Sequence, residues 1–143
     1  MTTKLENLFS SVLKSTEQVL EETEPFEHPI LTLFRASLKE QKECLEMLLP
    51  KLKEDEKEAE LATVKEHITI VYHVHEVAEP LASAWKRACD WMDLPGKSVT
   101  GNVESLFEDM KKDLEDAAVE LENIYGDEEI KFVVPSFYNP VIR

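Results

Sequence analysis

Glycine is nearly missing from this sequence: there are 3 in 143 residues, at Gly96, Gly101 and Gly126. Glycine is the residue that makes tight turns and close backbone approaches. Its scarcity leaves little room for hairpin-rich β architecture, phosphate-cradling loops or a flexible linker. Cysteine is scarcer still, with only Cys44 and Cys89, which excludes a disulfide-framed scaffold and a thiolate zinc cluster. Both fall inside helical patterns and read first as buried free thiols, with a single disulfide between them left open but not implied. No apolar run reaches the ~18 uncharged residues of a transmembrane helix. The start, Met1-Thr2-Thr3-Lys4-Leu5, passes directly into an amphipathic pattern with no apolar leader, and the expected location is cytoplasmic. Basic residues are outnumbered 16 to 30 by acidic ones, for a formal net charge of −14. Such a surface repels phosphate backbones and anionic headgroups, so nucleic-acid and membrane-surface functions are excluded.

The acid is unevenly spread. Between Glu104 and Glu129 eleven acidic residues face only Lys111 and Lys112, a net of −9. Between Leu61 and Val103 five acids meet Lys65, Lys86, Arg87 and Lys97, a net of −1.

The pattern that dominates is a seam at seven-residue spacing. One register reads Leu61, Ile68, His75, Ala82, Cys89 and the other Val64, Val71, Ala78, Trp85, Met92. Alternating steps of three and four place these positions on one side of a helix. A second band, Ile70, Val74, Val77, Leu81, Ala84 and Ala88, lies beside it and suggests a central helix with two or three neighbours. Similar faces predict a first helix from about Lys4 to Thr23 and a second starting at Pro29 with a kink or ending near Leu49, before Pro50. The seam helix begins near Glu58, and a final helix is capped by Asn102 and stopped at Gly126. Pro80 cannot donate to the Glu76 carbonyl, so a sharp kink or a division into two helices is expected there. The predicted fold is therefore all-α: an antiparallel four-helix bundle over residues 1–129, with five helices if the chain splits at Pro80, and a non-helical apolar tail over 130–143.

Motifs for chemistry are few. There is no Gly-x-Ser-x-Gly and no nucleophile-turn context around either cysteine, and carboxylates on helix faces ordinarily serve solvation. No enzymatic activity and no cofactor are expected. Gly96-Lys97-Ser98 has the last residues of a phosphate loop, but Trp91 stands where that motif needs its first glycine, and a helix precedes it instead of a strand. His75 and Glu79 form a His-x-x-x-Glu pair on the seam. Together with His28, at the entry to the second helix, they loosely resemble hemerythrin-like diiron bundles, which carry such a pair and a further histidine on the preceding helix. The resemblance covers these three residues and implies a metal set of His75, Glu79 and His28. It stops there, because that family places more histidines on later helices and none follows His75. The Glu-x-x-His pairs of ferritin-like sites are absent too. The chief reading of His75 is a core histidine.

Two segments are candidates for binding a partner. Trp85, Lys86, Arg87 and Trp91 form the single mildly basic, aromatic stretch, and tryptophan beside arginine is a common hot spot. The tail places Phe132, Val133, Val134, Phe137, Tyr138, Val141 and Ile142 within eleven residues, too apolar to be solvated at no cost. A protein–protein interaction module follows as the expected function, with Trp85, Arg87, Trp91, Phe132, Phe137 and Tyr138 as contact residues. Its partner is another protein or a second copy in a homo-oligomer. The alternative is a bundle that holds a metal or small apolar ligand near His75 and Pro80. Burying each large tail side chain contributes about 1.5–3 kcal/mol against about 1–2 kcal/mol per ordered residue. Deleting residues 130–143 should therefore lower the melting temperature or change the sedimentation coefficient, and no change in either would show a tail that docks nowhere on this protein.

Overall fold

The computed structural model describes residues 3–52 and 58–125. They form four helices: α1 (Thr3–Thr23), α2 (Pro29–Leu52), α3 (Glu58–Met92) and α4 (Lys97–Tyr125). Each packs mainly on its two ring neighbours, α1 on α2 and α4, α3 on α2 and α4, and the α3–α4 seam is the thinnest of the four. Cross-links run antiparallel throughout: Thr16 to Gln41, Cys44 to His67, Tyr72 to Leu114 and Lys4 to Glu120. The fold is the expected antiparallel four-helix bundle. The tail, residues 130–143, lies outside the described residues.

Every helix contributes a seam at steps of three and four. In α1 it is Leu5, Phe9, Val12, Thr16, Val19 and Thr23; in α2 it is Leu31, Phe34, Leu38, Gln41, Leu45, Leu48 and Leu52; all are buried. In α3 Val64, Ile68, Val71, His75, Ala78, Trp85 and Cys89 are buried, and in α4 Val103, Phe107, Met110, Leu114, Ala117 and Leu121. The two threonines on the α1 seam satisfy their hydroxyls locally: Thr16 donates to the Val12 carbonyl and Thr23 to the Val19 carbonyl, each at 2.8 Å. Arg35 reaches across from α2 to donate to the Leu20 carbonyl and, at 2.6 Å, to the Thr23 hydroxyl. It thereby serves a carbonyl group that the last turn of α1 leaves open.

Three boundaries differ from the sequence expectation. α3 does not divide at Pro80 and remains one helix of 35 residues. Pro80 and Glu76 are both exposed, so water can serve the carbonyl that proline abandons, and packing on both sides of the break holds the helix together. α2 runs past Pro50 to Leu52, whose burial anchors the last turn. Finally, α4 begins at Lys97 instead of after Asn102. Its first turn is set by Lys97 donating to the Leu94 carbonyl at 3.0 Å and Val99 to Gly96 at 3.0 Å. Asn102 lies within the helix and donates to the Glu22 carboxylate on α1 at 2.6 Å.

The α3–α4 corner is tight. Asp93 takes the left-handed conformation, φ 52°, and the Leu94 N–H donates to the Cys89 carbonyl at 3.1 Å, the Schellman ending of a helix. Gly96 then lies flat on the buried Trp85 indole. A Cβ there would meet Trp85 Cζ2 at 2.6 Å, inside van der Waals contact. Gly96→Ala should therefore destabilise the protein by about 1–3 kcal/mol through overpacking, read as a lower urea midpoint at unchanged slope, whereas Gly101→Ala, with nothing within 4 Å, should not destabilise. Equal midpoints for Gly96→Ala and the unsubstituted protein would refute the close packing.

Candidate functional site

The two tryptophans of the predicted patch part company. Trp85 is 1% exposed and Trp91 is 92% exposed. Six residues apart, they point about 120° away from each other around the helix, and Gly96 seals Trp85 in. Trp85 therefore belongs to the core and supports the patch from beneath, a correction to its reading as a contact residue. Trp91, in the last turn of α3, borders a surface cavity of about 560 Å³ with Arg87, Ala88 and Asp90. Met92, expected on the seam, is 61% exposed because the helix ends there. The cations beside it are not equivalent: Lys86 lies 3.8 Å from the Glu104 carboxylate and Lys97 3.7 Å from Asp93. Arg87 is the cation that lines the Trp91 cavity. The other predicted contact residues, Phe132, Phe137 and Tyr138, lie outside the described residues.

A second apolar surface escaped the sequence reading. Between the outer faces of α2 and α3 a cavity of about 370 Å³ is lined by Ser37, Glu40, Ile70, His73, Val74 and Val77. Val77 is 57% exposed, as is Leu33 at 60%, one turn before Ser37. The signal was present in the second band of α3, but it read as the face toward a neighbouring helix.

His75 lies in the core, its ring stacked on Phe107 at 5.2 Å and 21°, and Phe107 meets Phe34 at 5.4 Å. Burial, aided by the positive charge of Lys111, lowers its pKa to about 4. The imidazole is therefore neutral at physiological pH. Glu79 is on the rim of the α3–α4 cleft, about 330 Å³, with Pro80, Lys86, Glu104 and Lys111. His28 acts locally, at the start of α2. Its Nδ1 accepts the Ile30 N–H at 3.1 Å and its carbonyl the Thr32 N–H at 2.9 Å. Among the described residues no three His, Cys, Asp or Glu side chains gather as a metal ion requires, so His28, His75 and Glu79 do not form one set.

A layer of polar groups crosses the core one turn from Phe107. Gln41 Nε2 donates to Thr16 Oγ1 at 3.0 Å, and Met110 Sδ lies 3.5 Å from that hydroxyl. The thiols are buried and free. Cys44 donates to the His67 carbonyl at 3.2 Å, and burial, with Glu40 and Glu66 nearby, raises its pKa to about 11. Burial and Asp90 raise that of Cys89 as well. Neither presents a thiolate at neutral pH. No helix among the described residues is long and apolar enough to cross a membrane.

Comparison with known proteins gives no match to a family model, to a curated protein or to a solved structure.

The state of His75 makes stability depend on pH. In the fold its pKa is about 4, against 6.5 ordinarily, so between these values the unfolded chain holds the extra proton. Stability then falls as pH drops through this window. From pH 7 to pH 5 the loss is about 2 kcal/mol. His75→Leu, which suits a seam position, should keep the fold and remove that part of the pH dependence. Urea midpoints of both proteins at pH 7 and pH 5 check this, and equal pH dependence in the two would refute it.

Proposed function

We propose that this chain is a non-enzymatic protein–protein interaction module, a small acidic helical-bundle adaptor, regulator or assembly subunit that makes its contacts through the end and outer face of α3. The observation that carries this reading is Trp91, the most exposed large apolar side chain among the described residues, set beside Arg87 and an open cavity. Leaving an indole in water forgoes about 1.5–3 kcal/mol of burial, and tryptophan and arginine are the residues that dominate binding hot spots. Its surroundings suit a partner, since the segment from 61 to 103 carries a net charge of −1 on a chain of −14. The apolar tail, with Phe132, Phe137 and Tyr138, is the second proposed contact element.

The alternative, a ligand-binding bundle, draws support from the α3–α4 cleft beside Pro80, one residue from Glu79. Stoichiometric metal in the purified protein would favour it over the contact reading.

The contact reading is tested with a photoreactive benzoyl-phenylalanine at position 91. Irradiation in an extract of the source cells should give a discrete protein adduct, absent when the same group replaces the exposed Asp116 on α4. Trp91→Ala should abolish the contact at an unchanged melting temperature, because the side chain packs on almost nothing. Equal labelling from both positions, or none from position 91, would overturn the reading.

A further inference from the structure

The outer band of α3 is built to meet itself. Ile70, Val77, Ala84 and Trp91 recur every seven residues, with Val74, Leu81 and Ala88 between them, so they share one side of the helix in a bundle's geometry. The band carries a projection at one end and a recess at the other. Trp91 projects, at 92% exposure, and the recess of about 370 Å³ is lined by Ile70, Val74 and Val77 with Ser37 and Glu40 of α2. Seven residues, about 10 Å of helix, separate Ala84 from Trp91 on one side and from Val77 on the other. The centre holds alanines at 84 and 88, small enough for two helices to approach closely.

We infer that the partner of this face is a second copy of the chain, paired antiparallel through α3 about a twofold axis at Ala84. This rests on the contact reading and names its occupant. The axis carries Trp91 of each copy onto Val77 and the recess of the other, two identical insertions closed by one symmetry operation. The rim of the recess includes Glu40, an acceptor for the indole N–H, so the ring enters with its apolar body covered and its donor served. Charge selects the same face. Two copies each of −14 repel strongly, and the region from 61 to 103 is near neutral where that from 104 to 129 carries −9. The covered area is one helix face with the edge of α2, at the small end for protein interfaces, which implies a dimer that dissociates on dilution.

Sedimentation equilibrium of the full chain, from 1 to 200 µM, tests this. The weight-average mass should rise toward twice that of the monomer. Trp91→Glu and Val77→Glu should each shift the midpoint at least tenfold in concentration, with melting temperatures unchanged at dilutions where the unsubstituted chain is monomeric, because both side chains are exposed there. Ala84→Cys should form an interchain disulfide under mild oxidation, since the axis sets the two copies of position 84 face to face. Ser105→Cys, exposed on α4, should not. A monomer at every concentration, association indifferent to Trp91→Glu, or equal linkage at 84 and 105 overturns the inference. A photoreactive group at position 77 that maps to residues 126–143 of its own chain assigns the face to that segment and overturns it too. If the purified chain is monomeric while position 91 still labels another protein, self-pairing falls and the contact function stands; if position 91 labels nothing, both fall.

Discussion

The continuity of α3 through Pro80 is the constraint on which the rest of the molecule depends. At about 1.5 Å per residue its 35 residues span about 52 Å, against about 36 Å for the 24 of α2. The antiparallel register that sets Cys44 by His67 and Ser37 by Val74 brings Pro29, the first residue of α2, level with Ala82. Everything beyond that level on α3 lacks cover from α2. The seam side of this overhang is closed by the α3–α4 turn, with Gly96 on Trp85. The outer side stays open, and Trp91 stands there. Had the helix divided at Pro80, its second half could have folded back and buried both tryptophans. The exposed site is thus a consequence of one helix being longer than its neighbour.

Core polarity fixes how the helices meet. Thr16, Gln41 and His75 occupy seam positions that leucine or valine could fill, one on each of the first three helices. A polar residue at such a position specifies register at some cost in stability. Here the specification is concrete: a one-turn slip of α2 against α1 would strand the Gln41 amide away from Thr16, and a buried donor without a partner costs about 1–3 kcal/mol. His75 contributes differently. Held neutral and stacked on Phe107 of α4, it behaves as an aromatic side chain of the core, and Phe107 in turn meets Phe34 on α2, the helix diagonal to α4. Tyr72 adds a direct tie across the thinnest seam, its hydroxyl donating to the Leu114 carbonyl at 2.5 Å within α4.

These features differ in how far the residue pattern alone reveals them. The four helices and nearly all of their buried positions follow from spacing, because seam burial is periodic and the period is visible. The continuity at Pro80 does not follow from spacing. Local chemistry argues for a break, and the outcome is decided by solvent access to Glu76 and by packing on either side, both tertiary. The start of α4 was obscured by Asn102, a good cap by type whose amide is instead committed to Glu22 on another helix. The site divides in the same way. Trp91 lies off the primary seam and its exposure could be anticipated, whereas the enclosure of Trp85 depends on a glycine eleven residues later. Val77 looked like interior because apolar spacing cannot tell a face that has a neighbour from one that does not.

The two thiols give the molecule a built-in pair of reporters. Cys44 sits in the broad seam between α2 and α3, and Cys89 in the corner beneath Gly96, where a Cβ on that glycine would come 3.4 Å from its sulfur. Neither reacts while the fold is closed, since burial both shields the sulfur and holds its proton. Alkylation at each therefore proceeds only through the opening that uncovers it. The turn between α3 and α4 can open locally, at the thinnest of the four seams, while exposure of Cys44 requires the most extensive helix pair to separate. Modification of Cys89 then keeps time for local fraying and modification of Cys44 for global unfolding, two clocks in one chain with no label introduced.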